Sequence, residues 1–182
     1  MVKTIPVPCT KEEIDSIINS AVDNDFFYTL FKVAKKTGRR LGEYYDIQVK
    51  DIDWERKTMM TKVLKRRRRI EKEALLDDEL IGLLKRFIQK EKLKLDDYLF
   101  KKYSYRHIQN RVTYYAKKAG IEHPVSFHNF RHYLITGLIK EGFSYDQVAK
   151  ITGHSSVGTI SVYDHSIASD IRDKALSAMQ NL

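Results

Sequence analysis

Apolar residues recur three to four positions apart over the first forty residues and again over the second half of the chain, and they alternate in between. Thr10 and Glu13 are spaced as a capping box, so a helix is expected to start there. Ile14, Ile17, Ile18, Ala21 and Val22 mark its apolar face. A second helix fits Asp25 to Lys36, with Phe26, Phe27, Leu30, Phe31 and Ala34 facing inward and Gly38 as its stop. A short helix over Arg40 to Tyr45 follows. Val49 to Asp53, Thr58 to Val63 and Arg68 to Leu75 read as strands, the last two joined around a basic cluster. Glu and Ala are poor strand formers, and both occur in the third.

Helical spacing returns after Asp77, where Leu80, Leu83, Leu84, Phe87 and Ile88 form a stripe. Further helices fit Ser104 to Lys118, Phe127 to Lys140, and Ser144 to Thr152 closed by Gly153. A last one fits Ala168 to Met179. Ile167, Ile171, Ala175 and Ala178 give it an apolar stripe that suits packing in its own chain or on a neighbour. Helices, then a small three-stranded antiparallel sheet, then more helices imply a mostly helical α+β domain.

The chain has 182 residues, enough for one domain with a real core, and 42% of them are hydrophobic. No apolar run approaches the ~20 residues of a membrane span, and polar residues interrupt the start by Thr10, unlike a secretory signal. Cys9 is the single cysteine, which excludes an internal disulfide and argues against a cysteine-based zinc site. A reducing cytoplasm is the expected compartment.

The net charge is +9 and points to a polyanionic partner. Its placement is more telling. Residues 56 to 72 hold nine basic side chains against one acid, Glu71. Lys65, Arg66, Arg67, Arg68 and Arg69 crowd the hairpin and are expected to meet phosphates, of nucleic acid or of an acidic membrane surface; a solvated, self-repelling loop is the plainer alternative.

Four segments could carry chemistry. They are Thr37-Gly38-Arg39-Arg40-Leu41-Gly42-Glu43, the hairpin with Lys62, His128-Asn129-Phe130-Arg131-His132, and Gly153-His154-Ser155-Ser156 with Tyr163 nine residues after His154. His128 and Arg131 share a helix face at i, i+3 and start a helix whose amino end could help bind a phosphate. Each piece alone is ordinary: a turn histidine, a packing tyrosine, a surface arginine.

In order and spacing, the four together resemble the signature of the tyrosine recombinase and phage integrase family: Arg, Lys, His-x-x-Arg, Gly-His, Tyr. The resemblance covers nearly the whole chain. It implies a catalytic-domain fold of that family and a site made of Arg40, Lys62, His128, Arg131, His154 and Tyr163. Arg39 stands where an apolar residue is common, and Glu43 resembles an acidic residue expected to be structural. Lys65 is an alternative to Lys62, because hairpin lengths vary. Asn129 stands where an aspartate is frequent. His165 resembles a frequent follower of the nucleophile and is not expected to act.

The chemistry of DNA strand exchange fits these residue types. Two guanidiniums suit a phosphate whose charge grows as a nucleophile adds, and His154 would donate a further hydrogen bond. Tyrosine leaves a covalent phosphodiester that preserves bond energy for rejoining. His128 would take the phenol's proton and Lys62 would protonate the leaving 5′-hydroxyl. No cofactor or metal is expected. The resemblance implies double-stranded DNA, not a membrane, as partner, self-association on it as a tetrameric synapse, with the C-terminal helix as one route, and a place on the nucleoid when bound. The chain is expected to be a single catalytic domain over 1–182, with residues 1–9 an extended lead-in and the family's preceding DNA-clamping domain outside it. A type IB topoisomerase-like nicking-closing enzyme and a catalytically silent DNA-binding module are the competing readings.

Overall fold

In the computed structural model the backbone is described for residues 7–65 and 68–153, with the side chains of 63–65 and 68–70 left aside. The expected Ala168 to Met179 helix falls outside these residues.

Helix α1 spans Lys11–Ser20, and both arms of its capping box are made. The Thr10 amide donates to Glu13 Oε2 at 2.8 Å and the Glu13 amide to Thr10 Oγ1 at 3.2 Å. Ile14, Ile17 and Ile18 face the core, while Val22, just past the helix, is exposed. Helix α2 (Asp25–Thr37) is the centre of the domain. It packs on α1, on α4 (Asp78–Glu91) and on α6 (His128–Lys140). Two α2 aromatics anchor these contacts. Phe31 stacks on Phe130 of α6 at 5.3 Å between ring centroids, and Phe26 meets Phe87 of α4 edge-on at 6.4 Å. Burying each such ring contributes about 1.5–3 kcal/mol. Helix α5 (Tyr105–Lys118) closes over α1.

The sheet is antiparallel in the order β1 (Ile52–Asp53), β2 (Thr58–Lys65), β3 (Arg68–Leu75). β2 and β3 pair from Thr58↔Leu75 to Lys65↔Arg68, so β2 runs two residues past the expected Val63. Ala74 in β3 lies opposite Met59, and both are fully buried. Packing on a core face thus outweighs the weak strand preference of β3.

The expected strand Val49 to Asp53 is a correction. Val49–Asp51 form a 3₁₀ turn, and only two residues pair as β1. The Asp51 carboxylate accepts from the Gln48 amide at 2.9 Å. The amides of Val49 and Lys50 donate to the carbonyls of Asp97 and Leu95, so bonds to a segment distant in sequence take the groups a strand would have used. Helix α3 (Leu41–Tyr45) precedes the sheet. α7 (Tyr145–Thr152) packs on α6 through Ile135, Val148 and Ala149 and touches β3. No described helix is long and apolar enough to cross a membrane.

Candidate active site

The site begins at the turn after α2. Gly38 has φ +58°, a left-handed conformation, and a Cβ there would lie 2.8 Å from Leu134 Cδ2 of α6. Glycine therefore permits both the turn and the close approach of α2 to α6. The buried Tyr44 hydroxyl fixes the turn from behind. It accepts from the Arg39 amide at 2.7 Å and shares a hydrogen bond with Thr37 Oγ1 at 2.7 Å. Burial pushes the Tyr44 phenol well above its usual range, so it stays neutral.

Arg131 ties three segments together. Its guanidinium is buried, 1% exposed, and Nη1 donates to the Gly38 carbonyl at 2.6 Å and the Thr152 carbonyl at 2.8 Å. The end of α2, the start of α6 and the end of α7 thus converge on one cation. Arg40 caps α3 beside it. Its amide donates to Glu43 Oε2 at 2.8 Å, and its Nη1 lies 3.6 Å from Oε1 of the buried Glu43. The Arg40 side chain itself is 47% exposed. Glu43 thus holds the backbone and leaves the guanidinium open to a ligand.

His128 is the first residue of α6 and lines a cleft of about 400 Å³ with Arg40, Tyr105, Gln109, Asn110 and Ser126. Partial desolvation, then the charges of Arg131 and Arg40, hold its imidazole below the usual histidine range. It is therefore neutral near pH 7 and able to accept a proton. Of the sequence-predicted residues, Arg40, His128 and Arg131 come together. His154 and Tyr163 lie outside the described residues, as do Arg66 and Arg67.

Lys62 is set apart. Its ammonium pairs with the largely buried Asp51. Successive strand residues face opposite ways, and directly paired residues share a face. Thr61 and its partner Lys72 are on one face, where the Lys72 ammonium donates to the Gly153 carbonyl. Lys62 is on the other. Lys65 ends β2 four residues after Thr61 and pairs with Arg68.

Two cations escaped the sequence reading. Lys72 reaches the end of α7, and desolvation lowers its ammonium from the usual lysine range. Arg39 is 1% exposed and donates to the Glu73 carbonyl, while its Nε and Nη1 are buried without a hydrogen-bond acceptor. The register of β3 against β2 could have flagged Lys72. The one signal for Arg39 was that it stands where the family commonly has an apolar residue, as suits a buried position. The charges of Arg39, Arg40 and Arg131 all act on Lys72, with Glu43 the one carboxylate among them, and such an excess of partly desolvated cations favours an anion.

Residues 9–169 match the phage integrase family. The tyrosine recombinase XerA of Saccharolobus solfataricus is 29% identical over 152 residues, covering 84% of this chain and 50% of the relative. A tyrosine recombinase of Thermosipho africanus is 25% identical over 170 residues, covering 90% of this chain and 58% of the relative. The chain therefore spans about half the length of the curated relatives it matches. The crystal structure of XerA recombinase superposes with a TM-score of 0.81 at 23% identity, over 98% of this chain and 65% of that one. The XerH site-specific recombinase bound to its palindromic difH substrate, in a post-cleavage complex, gives 0.77 at 21% identity, over 94% of this chain and 53% of that one. The fold is that of a tyrosine recombinase catalytic domain, and the chain belongs to the phage integrase family.

Proposed function

We propose that this chain breaks and rejoins double-stranded DNA by transesterification through Tyr163, as the catalytic part of a site-specific recombinase or integrase. The observation that carries the reading is that Arg40, from the turn after α2, and His128, from the start of α6, line one cleft, with the buried Arg131 of α6 close enough for its charge to act on His128. Family membership supports it. So do relatives whose structures are described with DNA, including XerH on difH and a lambda integrase dimer on a core site.

Arg40 and Arg131 neutralise the scissile phosphate and the charge that grows on its oxygens, and His154 donates a third hydrogen bond. His128 accepts the Tyr163 proton as the phenol oxygen attacks phosphorus. The bond from phosphorus to the 5′ oxygen breaks, and a 3′-phosphotyrosyl link forms. The leaving oxygen takes a proton from a hairpin lysine. A 5′-hydroxyl then attacks the phosphotyrosine, with the same groups reversed. Lys62 holds Asp51 on the far face of the sheet, which favours Lys65 as the acid. Lys65 to Arg69 track neighbouring phosphates. Self-association on DNA as a tetrameric synapse, with the C-terminal stretch Ala168 to Met179 as one route, and action in the cytoplasm on the nucleoid complete the proposal.

The test is covalent trapping on nicked duplexes that let the cut strand diffuse away. The wild-type chain, supplied with a DNA-clamping domain of the kind that precedes the catalytic domain in the family, should give a denaturation-resistant adduct that maps to Tyr163, and Tyr163→Phe should give none while still binding DNA. Absence of any adduct with that domain supplied would leave a DNA-binding module as the better reading. Relaxation of supercoils without strand exchange would favour the topoisomerase-like one.

A further inference from the structure

Cys9, Glu13 and His123 lie outside the cleft, where the lead-in meets α1 and the segment between α5 and α6. Their donor atoms are all within 4.8 Å of one another, the one such group of three among the described residues. Cys9 is buried at 6% exposure. His123 Nε2 is 2.9 Å from Glu13 Oε1, and His123 Nδ1 is buried without a hydrogen-bond partner. Glu13 Oε2 is held by the Thr10 amide, so the carboxylate is fixed in place.

We propose that Cys9, Glu13 and His123 form a binding site for a zinc-like divalent cation that pins the amino-terminal lead-in to α1 and to the segment between α5 and α6. One sulfur, one imidazole nitrogen and one carboxylate oxygen are the donor types zinc takes, with a fourth position left for water. Zinc bonds of about 2.0–2.3 Å require these donors to close together only slightly from where they stand. The imidazole and carboxylate oxygen are already spaced like two ligands of one ion.

The electrostatics agree. Burial, and then the charge of Glu13, push the Cys9 thiol up to about 11. A thiolate beside a carboxylate is costly alone and favourable around a dication. Binding replaces the thiol proton by the metal, and one proton passes to solvent. The expected lack of a cysteine-based metal site rested on there being no second cysteine. It could not see that His123, 110 residues from Glu13, folds onto the same spot.

The consequence reaches the proposed active site. Asn129, beside His128, donates from Nδ2 to the Val7 carbonyl at 3.0 Å and accepts from the Ser126 amide at 2.9 Å. A metal at Cys9 would fix the lead-in that Asn129 already holds. The site needs neither DNA nor catalysis, so its test stands apart from the recombinase reading.

The experiment is a cobalt(II) titration of the full chain, read by thiolate-to-cobalt charge-transfer absorption in the near ultraviolet. Cys9 is the single cysteine, so that band can report nothing else. A stoichiometric band is expected, displaced by zinc, absent in Cys9→Ser, and shifted to at least tenfold weaker affinity in His123→Gln. Circular dichroism of each variant confirms that the fold is kept. No band in the folded wild-type chain would overturn the proposal. So would a band of unchanged affinity in both His123→Gln and Glu13→Gln, which would mean adventitious binding to the thiol.

Discussion

The guanidinium of Arg39 lies against Gly153, so closely that a Cβ on that glycine would fall on Nη1. Gly153 also has φ +72°, where any other L-residue is strained. Gly153→Ala should therefore cost about 1–2 kcal/mol from the backbone alone, with a further loss from displacing a buried cation. Arg39→Leu makes room for the methyl. In that background the Gly153→Ala cost should shrink by about 1 kcal/mol in a urea-unfolding double-mutant cycle. Strictly additive costs would show that the guanidinium yields freely and does not brace the end of α7.

The lysine assignment separates cleanly. Lys62→Ala removes the counter-charge of Asp51 and should lower stability by on the order of 1–3 kcal/mol, with adduct formation changed only a few fold. Lys65→Ala should leave stability alone and slow cleavage by about 10²–10⁴-fold, the usual contribution of a general acid. A substrate with sulfur at the bridging 5′ position has a leaving group that needs no proton, and it should restore the Lys65→Ala rate. Rescue of Lys62→Ala instead would make Lys62 the acid and would require the sheet to turn its other face on binding DNA.

Much of this was legible in the residues. The capping box at Thr10, the stop at Gly38 and the stripe at Leu80, Leu84 and Phe87 are local signals, and the helices form where those signals lie. The Val49 to Asp53 segment was misread because its fate depends on the carbonyls of Leu95 and Asp97, which composition cannot place. Arg40, His128 and Arg131 were legible through motif spacing. Lys62 and its alternative Lys65 sit in a run of basic residues in which only strand parity tells one face from the other. Arg39 and Lys72 became visible once β3 and α7 were packed, because their partners are backbone carbonyls and carry no residue signature.

Acid should loosen the fold through two histidines. Desolvation, then Arg131 and Arg40, lower the imidazole of His128. Desolvation, then His128, lowers that of His132. In the unfolded chain both titrate near 6.5, and in the fold they titrate below it. Between those points the unfolded state binds more protons. Stability is therefore full above the unfolded value, falls as pH drops through it, and stops falling below the folded one. Melting temperature should decline between about pH 7 and about pH 5, and more gently in a His128→Gln, His132→Gln double variant. Parallel pH profiles would remove these histidines as the cause. Cleavage, if His128 is the base, should hold its rate down to the ordinary histidine range and fall only below it.

The hairpin prediction concerns affinity, not chemistry. β2 and β3 carry Lys65, Arg68 and Arg69 at their joined ends, with Arg66 and Arg67 between them in the sequence. Each cation that meets a duplex phosphate releases condensed counterions, and the logarithm of affinity then falls with the logarithm of salt by about 0.9 per contact. Replacing Arg66 to Arg69 by Gln should flatten that slope by about 2 to 4 and weaken binding to all sequences alike, because phosphates carry no base information. Two further results separate the alternatives. An unchanged slope would return the cluster to a solvated loop. A flattened slope with a changed preference among sites would place at least one of these arginines on a base edge, where a bidentate contact to guanine is worth about 1–3 kcal/mol.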